Sequence, residues 1–174
     1  MNPDELRTIL PEIALTALVL VVLTTDLFLR REDKWLLTPI TVIGLGFVGY
    51  ACWTVWGVNQ TVFAGFYRVD DLSVFFKVAT VVIGVLSALF APSYLAQRRL
   101  PLGEFNVILL FSLTGMFVLA SASDLITLFI GLELMVMPAY LLAGFPQDGS
   151  LQQRGWAEVL PARQLRQRDP PLRD

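Results

Sequence analysis

The chain reads as an all-α polytopic membrane protein, with five transmembrane helices followed by a polar tail. Two observations carry that reading. Apolar residues make up 55 % of the sequence and charged residues only 16 %, where a soluble globular chain carries about a quarter charged residues. The apolar residues are also gathered into five runs, each near the roughly 20 residues that a helix needs to cross a hydrocarbon core. Helix is required, because lipid offers backbone N–H and C=O groups no partners. The alternation expected of a membrane strand is absent.

The first run extends from Ile9 to Leu29, the second from Trp35 to Val58 and the third from Leu72 to Leu95. The fourth covers Phe105 to Ala122 and the fifth Leu125 to Phe145. Ahead of the first run, Asp4 and Glu5 stand against Arg7. A signal peptide would carry a positive n-region and a small-residue cleavage site, so the first span is expected to be retained. Short polar segments separate spans one from two and three from four, and only Ser123-Asp124 joins four to five. The last two spans are therefore antiparallel neighbours. The longer connection from Asn59 to Asp71 reads as a small hairpin or interfacial loop, with aromatic side chains at headgroup depth.

Lys and Arg set the expected orientation. The first loop carries three, the third loop two, the N-terminus and second loop one each, and the fourth loop none. The positive-inside rule then puts loops one and three in the cytoplasm and the N-terminus outside. Residues 146–174 change character: they are rich in Gln, Arg and Pro and have no apolar period. They read as a disordered cytoplasmic tail. Net charge is −2, so nothing points to nucleic acid. The sequence has no His and a single Cys, Cys52. That excludes a His/Cys metal site and a disulfide framework.

Gly44-Leu45-Gly46-Phe47-Val48-Gly49 spells a dinucleotide-type glycine pattern, with Asp70 some way beyond. Such a site needs a strand before it and an amphipathic helix after it. The residues that follow, Tyr50 to Trp56, carry no charge at all. Small residues in a membrane helix let neighbouring backbones approach, and packing is the preferred reading.

Charges inside spans are more informative, because an ionisable group at bilayer depth is expensive and functional by default. Glu133 lies about 12 Å along span five from Leu125 at 1.5 Å per residue. Its neighbours one turn away are Phe129, Ile130, Val136 and Met137. It therefore faces a cavity, pairs with another helix or carries a proton; a carboxyl that switches among these states is what a proton relay needs. Pro138 opens the same helix locally by removing a backbone donor. Lys77 lies about 8 Å into span three. Snorkelling to the interface is its ordinary reading; the other makes it a charge partner of Glu133, since both lie in the same half of the membrane. Glu12 and Asp26, near the ends of span one, are expected to reach the interface. Asp124 is expected to cap span five.

Several segments resemble the subunit N family of NADH-quinone oxidoreductase, respiratory complex I. They are Leu10-Pro11-Glu12-Ile13, Thr25-Asp26-Leu27-Phe28 and Asp71-Leu72-Ser73-Val74-Phe75-Phe76-Lys77. The most specific is Gly115 to Ser121, continuing through Asp124 to Met135 and on to Pro138, Tyr140 and Leu141 to Phe145. The resemblance covers residues 1–145. It implies a multi-pass subunit of the inner (plasma) membrane that moves protons while the holoenzyme passes electrons from NADH to quinone. Other complex I membrane subunits would be its partners. NADH, flavin, iron–sulfur clusters and quinone would belong to the holoenzyme, with no cofactor in this chain. Glu133 would be the relay acid, with its usual lysine partner on a later helix. Val136-Met137 departs from the family's Ser-Leu before the proline. A cation/proton antiporter subunit shares the span-five acid and stays open as an alternative, as does a non-catalytic membrane fragment.

Residues 146–174 depart from the family altogether. With one base dropped from a permitted choice of codons, that stretch reads in a new frame that includes Lys-Tyr-Phe-Leu, similar to the family's next span. A single-base insertion after Phe145 is therefore expected, and with it a truncated chain that does not translocate protons alone.

Overall fold

The computed structural model describes residues 3–29, 31–98 and 102–143. A short helix α1 (Pro3–Thr8) precedes α2 (Leu10–Phe28). Pro11 sits in the first turn of α2, where its missing N–H costs nothing. A 3₁₀ turn, Arg31–Leu36, leads into α3 (Leu37–Thr54). Strands β1 (Gln60–Val62) and β2 (Tyr67–Val69) form an antiparallel hairpin before α4 (Asp71–Arg98). Helices α5 (Leu102–Ser121) and α6 (Leu125–Ala143) complete the described fold. The all-α membrane architecture holds, and the segment after span two is indeed a hairpin.

Among the described residues, α2 to α5 are each long and apolar enough to cross a membrane, and α6 is a shorter apolar helix from Leu125 to Leu141. The tail at residues 146–174 lies outside the described residues. Large apolar side chains face outward, including Leu27, Phe47, Phe90 and Leu125. Water would penalise that surface, whereas hydrocarbon does not. The buried core joins Leu15 and Val22 of α2 to Leu45, Val48 and Cys52 of α3, Val81 of α4, and Leu110, Leu113 and Phe117 of α5. Cys52 is thus a small core hydrophobe.

Helix ends are fixed by short-range polar chemistry. Asp70 and Ser73 form a reciprocal capping box at the start of α4: the Ser73 N–H donates to Asp70 Oδ1 at 2.8 Å, and the Asp70 N–H to Ser73 Oγ at 3.0 Å. Asp124 caps α6 as expected, its Oδ2 accepting from the N–H groups of Ile126 at 2.9 Å and Thr127 at 3.3 Å. Those donors, the Thr127 hydrogen bonding first, hold its carboxyl below the ordinary carboxylate range. At the opposite end of the bundle, Lys34 pairs with Asp26 at 2.7 Å, both half-buried. Asp26 is thereby part of an ion pair that closes loop one.

The glycine pattern in α3 serves packing. A Cβ on Gly44 would collide with the Leu18 side chain, whereas one on Gly46 would meet nothing within 4 Å. The tightest backbone approach is between α5 and α6. A Cβ on Gly115 would collide with the Met135 nitrogen, and one on Gly131 would lie 2.8 Å from the Leu119 nitrogen. Two prolines sit inside helices, Pro138 in α6 and Pro92 in α4. Each leaves a carbonyl one turn back without its usual donor.

Candidate functional site

The hairpin end of the bundle holds a buried ionisable cluster. Lys77, in the second turn of α4, is 1 % exposed. Its Nζ lies 2.5 Å from Glu12 Oε1, contributed by the first turn of α2. Tyr67 of β2 donates its phenolic hydrogen to the same oxygen at 2.6 Å. The Lys77 ammonium also sits 5.3 Å from the centroid of the Tyr67 ring, within cation–π range. Ile9, Val62, Val69 and Val74 pack around Tyr67, and the Phe117 carbonyl of α5 is 3.5 Å from its hydroxyl. Helix α4 and strand β2 therefore converge on one carboxylate of α2, with the α5 backbone beside the phenol.

Local sequence explains the convergence. In β2, Tyr67 and Val69 point inward and Arg68 outward, the period of two that a strand imposes. The capping box starts α4 at a fixed point, which sets Lys77 less than two turns inside. Arg68 joins Asp70 at 3.4 Å on the outer surface. The hairpin lies over the Glu12–Lys77 pair and keeps it from water.

Burial, and next the Glu12 carboxylate, push the Tyr67 phenol well above its ordinary range. Tyr67 is therefore a permanent neutral donor. In a low-dielectric setting the ammonium–carboxylate attraction is strong, and so is the desolvation it offsets. Two donors share Glu12 Oε1, while Oε2 is buried with no hydrogen-bond partner among the described residues.

The expected pairing of Lys77 with Glu133 is not what the structure forms. Lys77 is held by Glu12, a residue the sequence placed at the interface. The reason is geometric: both enter the bundle at the hairpin end within two turns of a helix start, and the flexible lysine stem spans the gap. Glu133 stands apart, as the ninth residue of α6. It is half-buried and makes no ion pair or hydrogen bond among the described residues. Helix α6 packs chiefly on α5, so Glu133 sits at the edge of that contact. Pro138, buried in α6, removes the donor for the Leu134 carbonyl next to Glu133. The helix continues through it. Among the described residues no three His, Cys, Asp or Glu side chains converge to hold a metal ion.

No family model matches the chain. It is similar to NADH-quinone oxidoreductase subunit N of Trichlorobacter lovleyi, with 34 % identity over 144 residues, 83 % of this chain and 30 % of the relative. Similarity to the subunit N of Alkalilimnicola ehrlichii is 37 % over 142 residues, 80 % of this chain and 29 % of the relative. An NAD(P)H-quinone oxidoreductase subunit 2 of Trichodesmium erythraeum is 38 % identical over 143 residues, 80 % of this chain and 27 % of that protein. The chain spans about 30 % of the length of the curated relatives it matches. Over about four fifths of its own length it is a homologue of subunit N of NADH-quinone oxidoreductase.

Proposed function

We propose that this chain works as a membrane subunit of an NADH-quinone oxidoreductase and takes part in moving protons while NADH is oxidised by quinone. The observation that carries the proposal is costly groups inside apolar helices: the buried Lys77 paired with Glu12, and Glu133, which has no polar partner among the described residues. Groups of this kind persist at bilayer depth where they serve transport. The names of the relatives support the oxidoreductase over a cation/proton antiporter.

In this reading Glu133 is the relay acid. It takes a proton when an aqueous path reaches it and releases it to a basic group presented by a neighbouring helix. Pro138 supports the transfer by leaving the Leu134 carbonyl free to bind water. The Lys77–Glu12 pair is a fixed dipole that biases where the proton rests. The chain lies in the inner (plasma) membrane with loops one and three cytoplasmic, and other membrane subunits of the complex cover its outer faces. Residues 146–174 are, on this reading, a segment read out of frame.

Affinity purification from native membranes tests the assignment. The chain is expected to bring down the other oxidoreductase subunits together with NADH:quinone activity. Recovery without them, alongside cation-driven pH changes that need no NADH, would favour the antiporter. Resequencing the codons for Gly144 to Gln147 tests the frame: one base fewer supports the out-of-frame reading, and an unchanged sequence removes it.

A further inference from the structure

At the hairpin end, α1, the end of α3 and β1 enclose an open cavity of about 210 Å³. Among the described side chains its lining includes Arg7, Thr8, Thr54, Val55, Val58 and Gln60. Arg7 is exposed and makes no ion pair or hydrogen bond among the described residues. Thr8 donates its hydroxyl to Gln60 Oε1 at 2.9 Å. That contact turns the amide so that its nitrogen, a two-hydrogen donor, is left for another partner. Thr54 spends its own hydrogen on the Ala51 carbonyl at 2.8 Å. The cavity therefore offers a planar guanidinium and an amide N–H₂, both donors, over an apolar floor of Val55 and Val58. That donor set suits an oxyanion, and guanidinium suits phosphate above all.

Depth narrows the choice of anion. Trp53 and Trp56 flank Thr54 and Val55 on α3, are 70 % and 49 % exposed, and pack with ring centroids 6.1 Å apart. Exposed tryptophans at the end of a membrane helix mark headgroup level. Below them, Ile43, Phe47, Tyr50 and Trp53 are all exposed and share one face of α3 at three- and four-residue spacing. A phosphate in the cavity thus has an apolar track leading into the membrane beside it.

We propose that this cavity binds the phosphodiester of a phospholipid headgroup, with Arg7 and Gln60 donating to its oxygens and an acyl chain lying along Ile43, Phe47 and Tyr50. Native mass spectrometry of the full chain in detergent, titrated with dioleoyl phosphatidylglycerol, tests this, with inorganic phosphate in a parallel arm. The unmodified chain is expected to retain one phosphatidylglycerol. Arg7→Gln and Gln60→Leu are each expected to weaken that binding about tenfold, the scale of a lost charge-assisted hydrogen bond. Arg7→Lys keeps part of the affinity, and Arg68→Gln, at an arginine outside the cavity, keeps all of it. Wild-type binding by both Arg7→Gln and Gln60→Leu would overturn the site. Inorganic phosphate binding as tightly as the lipid, with the same dependence on Arg7, would overturn the lipid assignment and leave a plain anion pocket.

Discussion

Glu12 carries more than its place in the sequence suggests. Beside Pro11 at the start of a span it reads as an interfacial acid, and only the hairpin folded over it makes it buried. Tyr67 was hidden for a related reason: a phenol in a short loop gives no sign of pointing inward until β1 and β2 pair and the alternation Tyr67, Arg68, Val69 is fixed. Lys77 and Glu133 were legible because charge inside an apolar run stands out on its own. Their partners were not, since pairing depends on which helix ends meet. Lys77→Met leaves the half-buried Glu12 with the Tyr67 hydrogen bond but without its ammonium, a loss of about 3 kcal/mol, the lower end of the range for a buried pair. Replacing both Lys77 and Glu12 by Met should return much of it. Unfolding of the three variants in detergent, taken as a double-mutant cycle, measures the coupling, and additive losses would show that the pair is not one unit. Tyr67 gives a pH signature. Its phenol is raised above the unfolded value of 10.0, so its contribution is complete below about pH 10 and is lost as pH rises above that value. In an ultraviolet titration of the folded chain, Tyr67 should stay neutral where exposed phenols ionise. Tyr67→Phe should leave that early step intact and flatten the alkaline loss of stability.

Helices were the best-read feature of the sequence, because hydrocarbon forces every apolar run of this length to be helical. The Asn59–Asp71 hairpin was also legible, from its aromatic and turn residues. Features set by packing are not legible in the sequence. Pro92 sits within α4 although a proline marks a break in water; in a membrane bundle the helix persists around it. The glycines of α3 could be read as spacers, but not which of them touch a neighbour. That difference gives a test between helices. Gly115→Ala at the α5–α6 contact places a methyl group against the Met135 backbone and should cost about 1–3 kcal/mol. Gly46→Ala meets nothing within 4 Å and should be neutral, or stabilise by up to about 1 kcal/mol through helix propensity. Thermal unfolding in detergent compares the two. Equal effects would mean that α6 does not pack on α5 as described.

At the scale of the whole molecule, the two acidic positions Glu12 and Glu133 stand in different surroundings. Glu12 is locked with Lys77 and Tyr67 under the hairpin, and that arrangement stabilises the hairpin end. Glu133 has no such partner among the described residues and sits at the edge of the α5–α6 contact. The unpaired acid is the one suited to bind and release a proton, and the locked one is suited to set the field around it. Because Glu133 makes no ion pair or hydrogen bond among the described residues, Glu133→Gln should leave folding and assembly unchanged, which isolates its chemistry from its structure. The most direct measurement is the number of protons translocated per NADH oxidised, in inverted membrane vesicles carrying the complex with Glu133→Gln in this subunit. A ratio below that of the unmodified complex, with subunit content unchanged, is the predicted result. An unchanged ratio in a fully assembled complex would contradict a relay role for Glu133.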